Sequence, residues 1–461
     1  MTFVVPGENF TTAETAFAQE TIAAAFDDGF VTQSNANQIW IIICGVMVFF
    51  MHAGFSMLEA GSIRMKNTVN IMFKNVMTIC IGAISYFLFG YAFAYGAGNE
   101  GKASEAFIGT GNYAMAGIGN DAKDFWFFQF AFCATAATIV SGALAGRVQL
   151  GGYFIIATVM TVWVYPVISH WVWATGWLSA FIDRDAVLFP EACGMLDYAG
   201  SGVVHMTGGI AAIFGAKILG PRTGRFVNGE VQPLPPHNVS LTTLGTLILW
   251  FGWYGFNCGS TLAWDGINAS KVAVTTTLSP AAAALTGMVL GRLVSGSWDL
   301  SNTLNCVLAG LVSITAGCST IPDGLALVVG AIGAVVYMLS SKLMLLLKID
   351  DPLDAGSVHG TVGIWGCLAV GIFASPAEID TAYGCADADM GAQFVTQLVG
   401  VIAIIAWVGF WSIITFVILS KAGWLRVPAE VEEAGLDISE HGAKAFDLDF
   451  TDKEKGGAVA A

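Results

Sequence analysis

Charge is what this sequence has least of. Only 11% of its 461 residues are Asp, Glu, Lys or Arg, against about 25% in a soluble globular domain. A large soluble enzyme would alternate polar and apolar faces, and this chain does not. It has no basic patch, which argues against nucleic-acid binding. Its nine cysteines include no CxxC spacing, so nothing marks a thiolate metal or redox centre. The first residues lack the basic and apolar regions of a cleavable signal.

Apolar runs take the place of charge. Hydrophobic residues make up 55% of the chain, the mean hydropathy is +0.69, and runs of about 20 residues recur, each long enough to cross a bilayer core. The expected fold is an all-α polytopic membrane protein with eleven spans: 38–60, 70–97, 124–146, 148–172, 197–219, 238–260, 268–293, 301–321, 324–348, 355–375 and 391–421. The fifth and eighth are diluted by Gly, Ser, Thr and Asn, small residues that let helices approach closely in lipid. Residues 1–37 form an N-terminal segment, with an amphipathic stretch at 10–26, and residues 422–461 form an acidic tail whose end, "TDKEKGGAVAA", has the composition of disorder.

Orientation follows from Lys and Arg. One set of loops, with the tail, carries fifteen: Arg64, Lys66, Lys74, Arg147, Lys217, Arg222, Arg225, Arg292, Lys342, Lys348, Lys421, Arg426, Lys444, Lys453 and Lys455. The other set carries four: Lys102, Lys123, Arg184 and Lys271. This split puts the N-terminus outside and the C-terminus in the cytoplasm, as an odd number of spans also requires. The net charge of −15 lies largely in the outer loops and the tail. An acidic outer face would concentrate cations near an entrance, or simply be well solvated. Asn9 and Asn268 open glycosylation sequons on that face. Cys193 and Cys385 fall in its loops, where a disulfide is compatible with the sequence but not required by it.

Two apolar segments share a polar pattern. "AGSGVVHMTGG" (199–209) and "DAGSVHGTVG" (354–363) both contain Val-His-x-Thr-x-Gly, with Asp197 eight residues before His205 and Asp351 eight before His359. The motifs fall in the fifth and tenth spans, so two five-helix halves thread the membrane in opposite senses, an inverted-repeat plan whose site lies near the midplane. If Asp197 begins its helix, His205 lies about 12 Å deeper, and His359 approaches from the other side. Ionisable groups inside spans mark solute or proton paths. A plain pair of buried histidines bonding helices together is the alternative for one such residue, and matched positions weigh against it. Bis-histidine haem ligation stays open on these residues alone.

Several long motifs now resemble a known family, the ammonium transporters (Amt/Mep/Rh), most closely the plant and algal type of Amt. They are "MHAGFSMLEAGSIRMKN" (51–67), "FGYAFAYGAGN" (89–99), "DYAGSGVVHMTGG" (197–209), "LWFGWYGFNCGS" (249–260), "ITAGCS" (314–319), "DDPLDAGSVHG" (350–360) and "WLRVPAEVEEAGLDISEHG" (424–442). The resemblance runs from the first span into the tail. It implies eleven helices per subunit, a homotrimer in the plasma membrane, and a narrow pore through each subunit for ammonium or methylammonium uptake. It implies a transporter rather than an enzyme, no cofactor, and as partners membrane lipids, the other subunits and a kinase acting on the tail. An ammonium sensor with little flux is the second class; no signalling domain follows the spans, which favours transport.

Carried over by position, His205 and His359 match the twin pore histidines, and Phe132 and Phe256 the stacked outer gate. Phe128, Trp173 and Ser260 match the recruitment site, Trp253 a pore-wall tryptophan, and Asp197 the acid supporting the entrance. Ser439 occupies the position of a regulatory phosphoserine. Without the motifs, Phe and Trp at helical spacing read as packing or interface-belt residues. Two features depart from the family pattern. Ala145-Gly146-Arg147 stands where many members have Ala-Glu-Arg, which bears on how that loop meets the tail. His52 and Glu59 are atypical; the first reads as a packing contact and the second as a residue near the cytoplasmic surface.

Overall fold

The computed structural model describes residues 32–96, 106–182 and 189–446; the 10–26 stretch, Asn9 and the end of the tail lie outside them. Among the described residues, ten helices are long and apolar enough to cross a bilayer: α1 Gln33–Ser62, α2 Met65–Tyr95, α3 Asn120–Leu144, α4 Leu150–Trp173, α5 Ser201–Leu219, α6 Val239–Gly259, α7 Gly266–Ser295, α9 Asp323–Leu346, α10 Gly356–Phe373 and α11 Met390–Lys421. A shorter apolar helix, α8 Leu300–Thr315, stands in the eighth expected place. Side-chain caps start several of them. Asn238, Asp265, Asp299 and Asp389 each accept a backbone N–H of the first turn, which satisfies donors left over at a helix start.

The helices at the centre are irregular. α5 opens with a π-helical turn over Ser201–Met206 and α10 with another over Gly356–Thr361. Such turns widen the backbone locally and occur mostly at functional positions. The two helices cross at backbone contact. A Cβ on Gly209 would sit 1.9 Å from Gly360 N, one on Gly363 2.6 Å from Ser201 O, and one on Gly366 2.6 Å from Ser201 Oγ. Moving down the chain in α5 means moving up the chain in α10, so the crossing is antiparallel. That is the geometry expected of inverted halves, and it needs glycine because any side chain would push the helices apart.

The fifth span differs from expectation at its start. Asp197 is not helical: Gly200 has a φ of 111°, a left-handed conformation open to glycine, and the helix begins after it. Asp197 instead reaches forward as a cap, so its helical rise to His205 does not apply.

The tail packs on the α1–α2 turn and the first part of α2 through two short helices, α12 Ala429–Ala434 and α13 Leu436–His441. Glu432 is fully buried there. Its carboxylate accepts from Thr223 N at 2.7 Å and Arg426 Nη2 at 2.9 Å. Asp437 Oδ1 accepts from Asn70 N at 3.0 Å, and Leu436 N donates to Asn67 Oδ1 at 3.0 Å. The Ala145-Gly146-Arg147 turn meets the tail by backbone: Val427 N donates to Arg147 O at 3.0 Å, and Val148 bridges to Arg426. No acid is needed there. On the opposite face a disulfide joins Cys193 to Cys385.

Candidate functional site

Three helices contribute one wall of rings. In α6, Trp253, Phe256 and Ser260 follow i, i+3, i+7 spacing and share a face; in α3, Phe128 and Phe132 are one turn apart. Trp173 closes α4, with its Nε1 donating to Asp197 O at 2.7 Å. These elements bring the rings into a column. Phe128 and Phe132 have centroids 4.6 Å apart, and Phe132 stacks on Phe256 at 4.0 Å with 22° between planes. Phe256 lies 5.4 Å from His205, which stacks on His359 at 5.1 Å and 17°. Phe55 follows at 6.3 Å from His359.

Trp253 flanks the column. It stacks on His205 at 4.9 Å, and its Nε1 donates to Thr315 Oγ1 at 2.8 Å. That bond fixes the indole plane, which in turn holds the imidazole. His205 is fully buried and His359 4% exposed. Both nitrogens of His205 and Nδ1 of His359 have no hydrogen-bond partner in the protein. Leaving buried polar atoms unpaired costs about 1–3 kcal/mol each, so such atoms need a reason to be there. Histidines that merely tied helices together would not leave three of four ring nitrogens unbonded. Haem ligation fails on geometry. Parallel rings present faces rather than nitrogens to each other, and a 5.1 Å separation cannot admit a macrocycle between axial ligands.

Cavities lie at both ends of the column. On the face carrying the disulfide, a vestibule of about 270 Å³ is bordered by Phe128, Phe132, Trp173, Asp197 and Ser260. Phe132, which stacks on Phe256, is part of its lining. Ser260 Oγ donates its proton to Phe256 O at 2.9 Å, which leaves the oxygen's lone pairs as acceptors. On the tail face, a cavity of about 20 Å³ is bordered by Phe55, Leu58, Glu59 and His359.

Asp197 is 2% exposed. Its carboxylate accepts from the backbone N–H of Gly200 at 3.0 Å, Gly202 at 2.9 Å and Val203 at 2.8 Å. These are donors at the start of α5, so the acid anchors the turn that presents His205. The structure therefore gathers His205, His359, Phe132, Phe256, Phe128, Trp173, Ser260, Trp253 and Asp197 in one place. Ser439 lies apart, exposed on α13, with its Oγ bonded to Gly435 O at 2.9 Å.

Sequence reasoning missed Tyr198, Tyr383 and Asp265, which also border the vestibule; only Asp265, ahead of a helix, carried a readable signal, that of a cap. Glu59, expected near the cytoplasmic surface, is 1% exposed and borders the cavity under His359 on the tail face. His52 is 2% exposed, with Nδ1 3.3 Å from Thr138 Oγ1 and Nε2 without a partner.

A membrane-crossing helical bundle with a vestibule, a column of rings and unbonded imidazoles where two of its helices cross is the architecture of a membrane transport protein. Comparison with known proteins gives the class a family. Residues 39–446 match the model described as "Ammonium Transporter Family". The chain is 42% identical over 412 residues to "Putative ammonium transporter 1 member 5" of Arabidopsis thaliana, covering 84% of this chain and 81% of the relative. It is 39% identical over 421 residues to "Ammonium transporter Amt2" of Archaeoglobus fulgidus, covering 88% and 87%. Among solved structures, a "Sensor Amt Protein" aligns with a TM-score of 0.81 at 32% identity, covering 89% of this chain and 99% of that one. Candida albicans Mep2 aligns at 0.76 and 26%, covering 90% and 93%. The chain belongs to the ammonium transporter family.

Proposed function

We propose that this protein takes up ammonium through the ring-lined axis of each subunit, holding the cation in the vestibule, removing a proton and passing neutral ammonia by the twin histidines. The observation that carries this reading is the unbroken column from Phe128 through His205 and His359 to Phe55. Bringing a bare monovalent cation into a low-dielectric pore costs several kcal/mol even after relaxation. A potassium channel offsets that cost with rings of carbonyls, and no "TVGYG"-like filter occurs in this sequence. Aromatic faces attract a cation by about 0.5–2 kcal/mol, so Phe128 and Trp173 recruit without trapping. Ser260 accepts a hydrogen bond that ammonium can donate and potassium cannot.

Desolvation disfavours the charged form of an amine, so passage under the Phe132–Phe256 gate favours loss of the proton. The unbonded nitrogens of His205 and His359 offer ammonia its partners and the proton a relay. Asp197 acts as an ionised anchor whose negative charge also favours cations at the mouth. The disulfide face is external and the tail face cytoplasmic, in keeping with the basic loops and the docked tail. The subunit works as part of a homotrimer in the plasma membrane, and residues 422–461 are its regulatory tail.

His205→Ala and His359→Ala each lower methylammonium uptake by about 100-fold or loosen rejection of potassium, as loss of a positioned proton-transfer group implies. Uptake measured with potassium as competitor checks this, and wild-type behaviour of both variants contradicts it. Phosphorylation of Ser439 would place about two negative charges among Asp437 and Glu440 and disfavour docking. Ser439→Asp should therefore lower flux, and unchanged flux counts against a regulatory role. The likeness to a "Sensor Amt Protein" favours one second reading, an ammonium sensor with little flux, which a current measurement separates from transport.

A further inference from the structure

Below His359 the structure places an ionisable cluster that the reading above does not use. Glu59 of α1 and Lys74 of α2 are both inside spans and are 1% and 0% exposed. Glu59 Oε2 accepts from Ser141 Oγ at 2.9 Å and Asn75 Nδ2 at 3.1 Å. Lys74 does not pair with it directly. Its Nζ donates to Ser141 O at 3.4 Å and lies 4.9 Å from the Tyr153 ring centre. Both bonds to the carboxylate go to Oε2, which leaves Oε1 as the oxygen available to the cavity that Glu59 shares with His359. A cavity of about 20 Å³ holds one water-sized molecule, since a water needs roughly 10–15 Å³ by the same measure.

A helix staple would set the ammonium directly on the carboxylate. A buried charge pair is moreover weak as a source of stability, because well-packed neutral residues replace it at little cost. A carboxylate retained beside a mid-membrane imidazole instead fits the groups that line proton and ion paths.

We propose that Glu59 is the proton-exchange carboxylate at the cytoplasmic end of the conduit, an inference that rests on the transport reading. In its acid form it donates to the ammonia that leaves His359. The Oε1–H bond breaks with its electron pair staying on oxygen, and a fourth N–H bond forms on ammonia. The ammonium leaves toward the tail face. The proton lost at the vestibule, relayed by the imidazoles, restores the acid. One ammonium enters and one leaves, so atoms and charge balance. Lys74 of α2 is a positioning residue that limits the field of the carboxylate so that the product cation is released. The other titratable groups around the pair are Tyr153 of α4 and His359 of α10, with Arg147 of the α3–α4 turn and Glu440 of α13 acting on Lys74. Glu440 accepts from Asn70 Nδ2 at 2.7 Å, one turn before Lys74, so the docked tail borders the same cluster.

The test uses the full chain in liposomes, with current recorded after an ammonium jump while internal pH is varied at fixed external pH. Glu59→Gln should lower the current by about 100-fold, the low end of what a positioned acid–base group contributes, and abolish its dependence on internal pH. Glu59→Asp should restore both in part, which a structural role would not. If the single variant fails to fold, Glu59→Gln/Lys74→Met removes both charges and should show the same loss. Wild-type current with a wild-type internal pH profile in either Gln variant overturns the inference. Absence of current from the wild-type protein instead overturns the transport reading beneath it.

Discussion

Asp197, before His205, and Asp351, before His359, occupy the same place in the repeat and live in different settings. Asp197 has both oxygens engaged by three backbone N–H groups. Asp351 accepts one, from Gly356 N at 2.7 Å, and its Oδ1 has no partner. It borders a second cavity on the tail face, of about 180 Å³, with Arg222, Arg225 and Asp354. Its neighbour Asp350 is the engaged one there, gripped by Arg222 through Nε at 2.8 Å and Nη2 at 2.9 Å. Both aspartates precede a π-helical turn that carries a histidine to the crossing of α5 and α10. The difference teaches that the two halves share the build of the α5–α10 crossing while their aspartates are held in different ways. The vestibule end is rigid by its own backbone bonds. The tail end is held by the ion pairs of Asp350 with Arg222 and Arg225, beside which Thr223 N donates to Glu432 of the tail.

The largest expected effect tests that asymmetry at the aspartates. Asp197→Ala strands three donors at about 1–3 kcal/mol each and should abolish uptake, whereas Asp351→Ala frees one donor and should retain a measurable fraction. Equal losses in a methylammonium uptake assay would erase the distinction. Next in size is Asp350→Ala. It leaves Arg222, 5% exposed, as an uncompensated buried charge and should cost about 3–5 kcal/mol. The readout is the unfolding midpoint in detergent, and an unchanged midpoint would show that the tail end is held otherwise.

The smallest effect is in pH. Burial pushes the Asp351 carboxyl up, the charge of Asp354 adds to it, and together they bring it to about 7. An unfolded Asp titrates near 3.9. Between those values the folded chain holds a proton the unfolded chain has released, so the stability from this group is lost as pH rises through about 7. Asp350 runs the other way. Burial raises it, but its bonds to Arg222 and the charges of Arg222 and Arg147 outweigh that and hold it at about 2. Its contribution is present above about 4 and lost as pH falls toward 2. Asp351→Asn should flatten the loss of thermal midpoint toward neutral pH and leave the acid limb unchanged. A variant that moves the acid limb instead would assign the two carboxylates wrongly.

Much of this was legible in the sequence. Apolar runs gave the helices to within a few residues, because in lipid the backbone must bond internally and helices answer that need. The repeated Val-His motif located the crossing of α5 and α10, and family motifs, not periodicity, picked Phe132, Phe256 and Trp253 out from other apolar rings. The start of α5 was misread because hydropathy does not register the left-handed φ of Gly200 or the forward reach of Asp197. The burial of Glu59 was hidden for a different reason. Depth along a helix put it one turn from the inner end, but Lys74 and the docked tail cover that end, and neither packing is encoded locally. The Cys193–Cys385 link, 192 residues apart in sequence, had no local signature either.

The central claim is that the column through His205 and His359 conducts. An ammonium concentration jump applied to liposomes holding the wild-type protein tests it most directly. A saturating inward current that falls in His205→Ala is the predicted result; saturable ammonium binding with no current would contradict it.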